Sequence, residues 1–261
     1  MIRVSTIVTT VDNDNGRLIT TLARWCDILS TRPWAELIVV NDGGPKGIRL
    51  PELWGNASST VKDRVTFKYL MPPSDDFRLA KSRNDGVRYS RATERIIFTD
   101  SDCIPSDNFL DHHLGVPEDG IGVGLRMRVK GEIAQKWIDE TSLTCPSEND
   151  IQKACYRDDE RLDELKPIGW RGCEQVWGCN FSVPIIPFLA CGGFDEDIVG
   201  WGGEDVNLAD RLMRHAKLKF HPLLASRVYH MDHPARSDRS PHPFGRRGQA
   251  LIANGGPLRR E

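Results

Sequence analysis

Arg95-Ile96-Ile97-Phe98-Thr99-Asp100-Ser101-Asp102 decides the fold. Apolar and β-branched residues fill the four positions after a leading arginine, as in a strand buried on both faces. The run then passes without a break into two carboxylates separated by one residue. A strand that ends in acidic side chains carries chemistry at its carboxyl end, which is where open α/β sheets bind ligands.

Working outward, residues 3–10 (RVSTIVTT) and 36–40 (ELIVV) read as two more buried strands, and residues 64–70 as a fourth. The ELIVV run ends in Asn41-Asp42-Gly43-Gly44, a polar and glycine-rich loop that puts Asp42 at a strand end as well. Between the strands, Leu18, Leu22, Trp25, Ile28 and Leu29 fall at helical spacing over 16–30, and Pro33 stops that helix. Leu79, Ala80 and Val87 predict a second helix over 77–91. The order β-α-β-β-α-β predicts an α/β layered domain with a mostly parallel sheet.

Later in the chain, residues 183–190 are apolar and closed by Gly192-Gly193, which predicts a glycine-capped helix. Val206, Leu208 and Leu212 predict a helix over 204–215, and residues 218–222 and 226–230 read as two short strands. The stretch 126–170 is charge-rich; Ile133, Trp137 and Ile138 hint at a helix, and helices and loops are expected there. Residues 236–261 change character, with six arginines against Asp238 and Glu261, and read as a basic extension that is a solvated tail, an active-site lid or a phosphate-binding segment.

Composition limits the classes of function. The chain has 261 residues, 39% hydrophobic and 28% charged, which excludes collagen-like, disordered and coiled-coil chains. A formal charge of −2 gives no global basic field for nucleic acid. No apolar run approaches the length of a membrane span. Seven cysteines, an odd number with no CxxC pair and no secretory signal ahead of the first strand, predict reduced, mostly buried thiols in a cytoplasmic protein, with the cytosolic face of a membrane as a peripheral location.

Four motifs in order, IVVNDGG, RLAKSRNDGVRYS, FTDSDCIP and GGFDEDIVGWGGEDVNLADRL, resemble the nucleotide-sugar glycosyltransferases of the GT-A fold. The overall pattern resembles glycosyltransferase family 2. The last motif is similar to the catalytic region shared by β-1,4-galactosyltransferases and polypeptide N-acetylgalactosaminyltransferases. The resemblance covers most of residues 3–235 and implies one Rossmann-like domain over 1–235, with a nucleotide-sugar half (1–125) and an acceptor half (126–235).

The resemblance also implies site residues. Thr9, Thr10, Asp42, Arg78, Asn84, Asp100 and Ser101 would meet the nucleotide donor, a UDP-sugar first. Asp102 would ligate Mn²⁺ (or Mg²⁺), with Asp100 nearby and a histidine of Ser226-Arg227-Val228-Tyr229-His230 as a further ligand; His233 competes with His230 for that place. Trp201, Gly202, Gly203 and Glu204 would frame the sugars, and Asp205 would be the general base.

Chemistry supports this set. The leaving diphosphate gains charge that a divalent ion stabilises, and a carboxylate plus an imidazole suits Mn²⁺. One base opposite the leaving group predicts inversion; a retaining enzyme of the same fold and a non-catalytic nucleotide-sugar-binding protein are the alternatives. A nucleotidyltransferase fits less well, because the first loop is acidic, and a dehydrogenase fits less still, because no GxGxxG follows the first strand. The acceptor stays open among a glycan, a lipid-linked sugar, a protein, a metabolite and DNA.

Overall fold

The computed structural model describes residues 1–11, 15–42, 58–72, 74, 76–139, 146–159, 173–200 and 202–233. Nine strands form one sheet in the order β3-β2-β1-β4-β8-β6-β9-β5, with β7 paired to β6. The first four are β1 (Val4–Thr10), β2 (Ala35–Asn41), β3 (Val65–Tyr69) and β4 (Arg95–Asp100). They pair in parallel, with Thr9 level with Val40 and with Asp100. Every residue of β1 and β2 is buried, as a sheet covered on both faces requires.

Side chains alternate between two apolar layers. Ile7, Ile38, Val40 and Phe98 face one core, joined by Ala80 and Val87 of α3 (Leu79–Arg88) and Leu208 and Leu212 of α8 (Glu204–His215). Val4, Val8, Leu37, Val39 and Ile97 face the other, joined by Leu18, Leu22, Trp25, Ile28 and Leu29 of α1 (Asn15–Thr31). The helical stripe read from the sequence is the buried stripe of α1.

The expectation of a mostly parallel sheet is corrected: the sheet is mixed. β8 (Phe181–Pro184) runs antiparallel to both β4 and β6 (Gly120–Val129), and β5 (Cys103–Pro105) and β7 (Cys155–Arg157) are also antiparallel to their neighbours. β9 (Lys219–Met231) is parallel to β6. β9 therefore ends at the same edge of the sheet as β4, and that topology assembles the site.

Three local expectations change for physical reasons. The helix expected over 183–190 is strand β8 followed by α7 (Ile185–Ala190), because the first apolar residues pair with Arg95–Phe98 of β4. The two short strands expected near the C-terminal end are one continuous β9 that shifts register against Gly124–Leu125. β6 was hidden within and just ahead of the charge-rich stretch. Its alternate positions are Gly120, Gly122, Gly124, Arg126 and Arg128, so one face carries no apolar pattern. Gly124 is required by close approach, since a Cβ there would lie 2.5 Å from the Ser226 carbonyl oxygen.

The helix hinted at by Ile133, Trp137 and Ile138 is α5 (Gly131–Asp139). The remaining helices are the single turn α2 (Ser59–Lys62), α4 (Phe109–Leu114) and α6 (Glu148–Ala154). Among the described cysteines all six are free; Cys103 and Cys179 are buried, whereas Cys26, Cys155, Cys173 and Cys191 are only half-buried. No helix among the described residues is long and apolar enough to cross a membrane. Trp201 and the basic extension at 236–261 lie outside the described residues.

Candidate active site at the carboxyl edge of the sheet

Asp102 follows β4 in a tight turn into β5. Because β5 pairs antiparallel with β9, Cys103 is level with His230, and the Met231 N–H donates to the Asp102 carbonyl (2.9 Å). The Asp102 carboxylate thus lies beside the end of β9. Its Oδ2 is 3.3 Å from His230 Nε2 and 3.2 Å from His233 Nε2. The sequence left His230 and His233 as competitors; the fold brings both to one oxygen.

Electrostatics follow from this geometry. Burial alone would lift the Asp102 carboxyl, but the two imidazoles outweigh it and hold the group well below the usual carboxylate range. Burial opposes a charged His230 ring, yet Asp102 overrides it and pushes His230 up to about 9. A pocket that favours a cationic ring so strongly suits a divalent cation at the same place. One carboxylate oxygen and two ring nitrogens, all within 4.8 Å of one another, are a mixed hard and borderline donor set that fits Mn²⁺.

Asp100, Cys103 and Cys179 form a second such group. It fits a metal less well: burial holds the Cys103 thiol well above its ordinary range, and the S–H points to Asp102 Oδ1 (3.2 Å).

Next to this cluster lies a buried charge network that sequence reasoning missed. Arg83 of α3 is 1% exposed. Its Nη1 donates to Glu204 Oε1 (2.7 Å) and its Nη2 to Asp100 Oδ1 (3.2 Å). The signal was available, because Arg83 occupies the apolar stripe of α3 between Ala80 and Val87. Burial disfavours its charge, but Asp100, Glu204 and Asp205 together outweigh that and hold it protonated. Gly178 has no side chain for the same reason: a Cβ there would overlap the Arg83 guanidinium.

Glu204 and Asp205 open α8. Gly203 before them is left-handed (φ 96°), and Gly202 likewise (φ 91°), with nothing within 4 Å of where its Cβ would be. Asp205 Oδ1 accepts the Val206 N–H (2.8 Å) and Oδ2 the Gly178 N–H (2.7 Å), leaving each oxygen a second lone pair. Burial raises Asp205 despite Arg83. Glu204 is buried, and its Oε2 has no hydrogen-bond partner among the described residues.

Burial, with Asp205 beside it, pushes Glu204 up to about 7. The folded state thus takes up a proton that the unfolded chain releases, so this group's contribution to stability falls as pH rises from about 4.5 to about 7. In denaturant titrations Glu204→Gln is expected to flatten that slope, by up to about 3 kcal/mol across the window. Equal slopes in both proteins would contradict the assignment.

The residues expected to meet a nucleotide divide into three groups. Thr9 and Asp100 stand side by side, with Thr9 Oγ1 donating to Asp100 Oδ1 (3.4 Å). Ser101 N–H donates to the Thr9 carbonyl (3.1 Å), and Thr10 Oγ1 donates to the Val11 carbonyl (3.5 Å). Asp42 and Arg78 pair with each other: Asp42 accepts the Arg78 N–H (2.8 Å) and a guanidinium fork (3.1 and 2.6 Å). Asn84 turns to the 193–196 segment instead, where its amide grips both the N–H and the carbonyl of Phe194 at 2.9 Å.

This arrangement is a GT-A-like fold, one mixed α/β sheet with acidic and histidine side chains gathered at the carboxyl edge of its parallel strands. A family model described as the N-terminal domain of galactosyltransferase matches residues 168–234, which contain Asp205, His230 and His233. The chain is 26% identical over 212 residues to validoxylamine A glucosyltransferase of Streptomyces hygroscopicus subsp. jinggangensis, covering 76% of this chain and 48% of the relative. It is 26% identical over 227 residues to the enzyme of that name from subsp. limoneus, covering 81% and 48%. The chain therefore spans about half the length of the curated relatives it matches.

Two solved structures share the fold. GalNAc-T7 with UDP, GalNAc and Mn²⁺ superposes with a TM-score of 0.61 at 15% identity, covering 88% of this chain and 44% of that one. Mannosyltransferase PcManGT from Pyrobaculum calidifontis, in complex with GDP-Man and Mn²⁺, gives 0.61 at 16%, covering 95% and 61%.

Proposed function

We propose that the chain is a metal-dependent glycosyltransferase that moves a sugar from a nucleotide-sugar, a UDP-sugar first, to an acceptor hydroxyl with inversion at the anomeric carbon. The observation that carries this reading is the convergence of His230 and His233 on one oxygen of Asp102 at the carboxyl edge of the sheet. Asp102, His230 and His233 would hold Mn²⁺ or Mg²⁺. When bound, the ion supplies Lewis-acid stabilisation to the diphosphate oxygens as they gain charge.

The chain's own residues do the rest. Thr9, Asp100 and Ser101 border the donor at the ends of β1 and β4, and the Asp42–Arg78 pair fixes the neighbouring strand end. Gly202, with nothing within 4 Å of where a Cβ would be, leaves the backbone open to a sugar ring. Glu204 offers Oε2 to a sugar hydroxyl. Asp205 takes the acceptor's hydroxyl proton as the acceptor oxygen bonds to the anomeric carbon and the bond to the diphosphate oxygen breaks. A base raised by burial is the stronger proton acceptor, and its two backbone N–H partners fix its direction.

A donor-hydrolysis screen tests the reading. UDP-GalNAc, UDP-glucose and GDP-mannose would be supplied with Mn²⁺, with Mg²⁺ and with chelator. Turnover of one donor is expected, abolished by chelator and at least ~10²-fold slower in Asp102→Ala. Neither turnover nor metal-dependent nucleotide binding for any donor would overturn the enzyme reading. Once an acceptor is found, a product that keeps the donor's anomeric configuration would overturn inversion.

A further inference from the structure

Behind the proposed metal cluster stands a residue that neither the motifs nor that reading uses. Asp232 follows β9 and lies between the two histidines in sequence. Its Oδ1 is 3.2 Å from His230 Nδ1, the ring nitrogen opposite the one that faces Asp102. The same Oδ1 accepts from Arg128 Nη1 (3.2 Å), and Oδ2 accepts from the Tyr156 hydroxyl. Arg128 is level with His230 in the β6–β9 pairing, so these groups share one face of the sheet. The backbone is held too: the Asp232 N–H donates to the Val129 carbonyl (3.2 Å), next to the bond from the Met231 N–H to Asp102.

From this geometry we infer that Asp232 is the positioning residue of the cluster, holding His230 through an Nδ1–H···Oδ1 bond so that Nε2 is directed at Asp102 and the cation's place. A carboxylate can only accept, so the proton of the His230–Asp232 bond belongs to Nδ1. The ring then has one orientation, with Nε2 on the Asp102 side, and a carboxylate behind a ligating imidazole also raises its basicity. Arg128 and Tyr156 hold the Asp232 carboxylate against rotation from two sides. His233 has Asp102 on its Nε2, whereas His230 meets Asp102 through Nε2 and Asp232 through Nδ1. The inference rests on the proposed metal role of Asp102 and His230.

The test is Mn²⁺ affinity of the whole chain, read from the free-ion EPR signal without donor. The proteins compared are wild type, Asp102→Asn, Asp232→Asn, His230→Ala and the double variant His230→Ala/Asp232→Asn, with thermal unfolding of each. Asp102→Asn is expected to remove binding, and Asp232→Asn to weaken it ~10–100-fold. On the His230→Ala background, Asp232→Asn is expected to add no further loss, because the two act as one unit. A loss that adds fully on that background would mean Asp232 only supports the fold. Wild-type affinity in Asp232→Asn would overturn the inference while leaving the metal reading intact. Absence of Mn²⁺ binding in wild type would instead overturn the metal reading itself, and the inference with it.

Discussion

Asp205→Asn is expected to lower kcat for sugar transfer by about 10²–10⁴-fold while leaving nucleotide and Mn²⁺ binding within a few-fold of wild type. The substitution keeps the shape of the side chain but removes the proton acceptor. In the fold Asp205 sits at the start of α8 with one oxygen on the Val206 N–H and the other on the Gly178 N–H. An amide offers one oxygen, so one of these N–H groups loses its acceptor, at a cost of about 1 kcal/mol of stability. That structural cost is small beside the expected loss of rate, so the two are separable. Steady-state kinetics with saturating donor and acceptor, beside an isothermal titration of nucleotide, gives both numbers. A kcat within about fivefold of wild type would remove Asp205 as the base and turn attention to Glu204, its neighbour in the same turn.

Arg83→Met is expected to destabilise the fold by about 3–5 kcal/mol. The guanidinium is 1% exposed and meets Asp100 on one side and Glu204 on the other. Methionine fills much of the volume but leaves carboxylates facing one another without the cation that relates them. Urea unfolding at pH 7.5 measures the loss. Because the abandoned carboxylates recover by taking up protons, the deficit is expected to shrink as pH is lowered toward 5. A deficit independent of pH would mean that packing, not charge, holds Arg83 in place. Arg83→Lys separates the roles further: it keeps the charge but not the fork that reaches both Asp100 and Glu204.

Strands β1, β2 and β4 were legible in the sequence because they are buried on both faces and carry mostly apolar and β-branched residues, and β3, also read, is only half-buried at the sheet's edge. Helix α8 was legible over its full Glu204–His215 span, because its apolar stripe is regular and glycines precede it. The motif residues at strand ends followed from the same logic, since a strand that stops in Asp100-Ser101-Asp102 must put carboxylates at the sheet's edge. The rest of the sheet was legible only in part: the two strands read at 218–222 and 226–230 lie within β9, whereas β5, β6, β7 and β8 were not read as strands. In β6 one face consists of glycines and arginines: Gly120 packs close to His221 and Val116, Gly122 to Val116 and Ser182, and Gly124 to Asn180 and Ser226, so close approach and not apolar side chains fills that face.

The sequence by itself determined the α/β layering, the alternation of helix and strand through β4, and the candidate acidic and histidine residues. All of these depend on local periodicity and on residue chemistry. Only the tertiary structure decided how those candidates meet. His230 and His233 both reach Asp102 because β9 runs parallel to β6 and ends beside the β4–β5 turn, a pairing across more than a hundred residues. Arg83 joins Asp100 to Glu204 because α3 and α8 pack on the same face of the sheet. Such long-range pairings are fixed by which faces and edges can bury one another, and no window of sequence contains both partners.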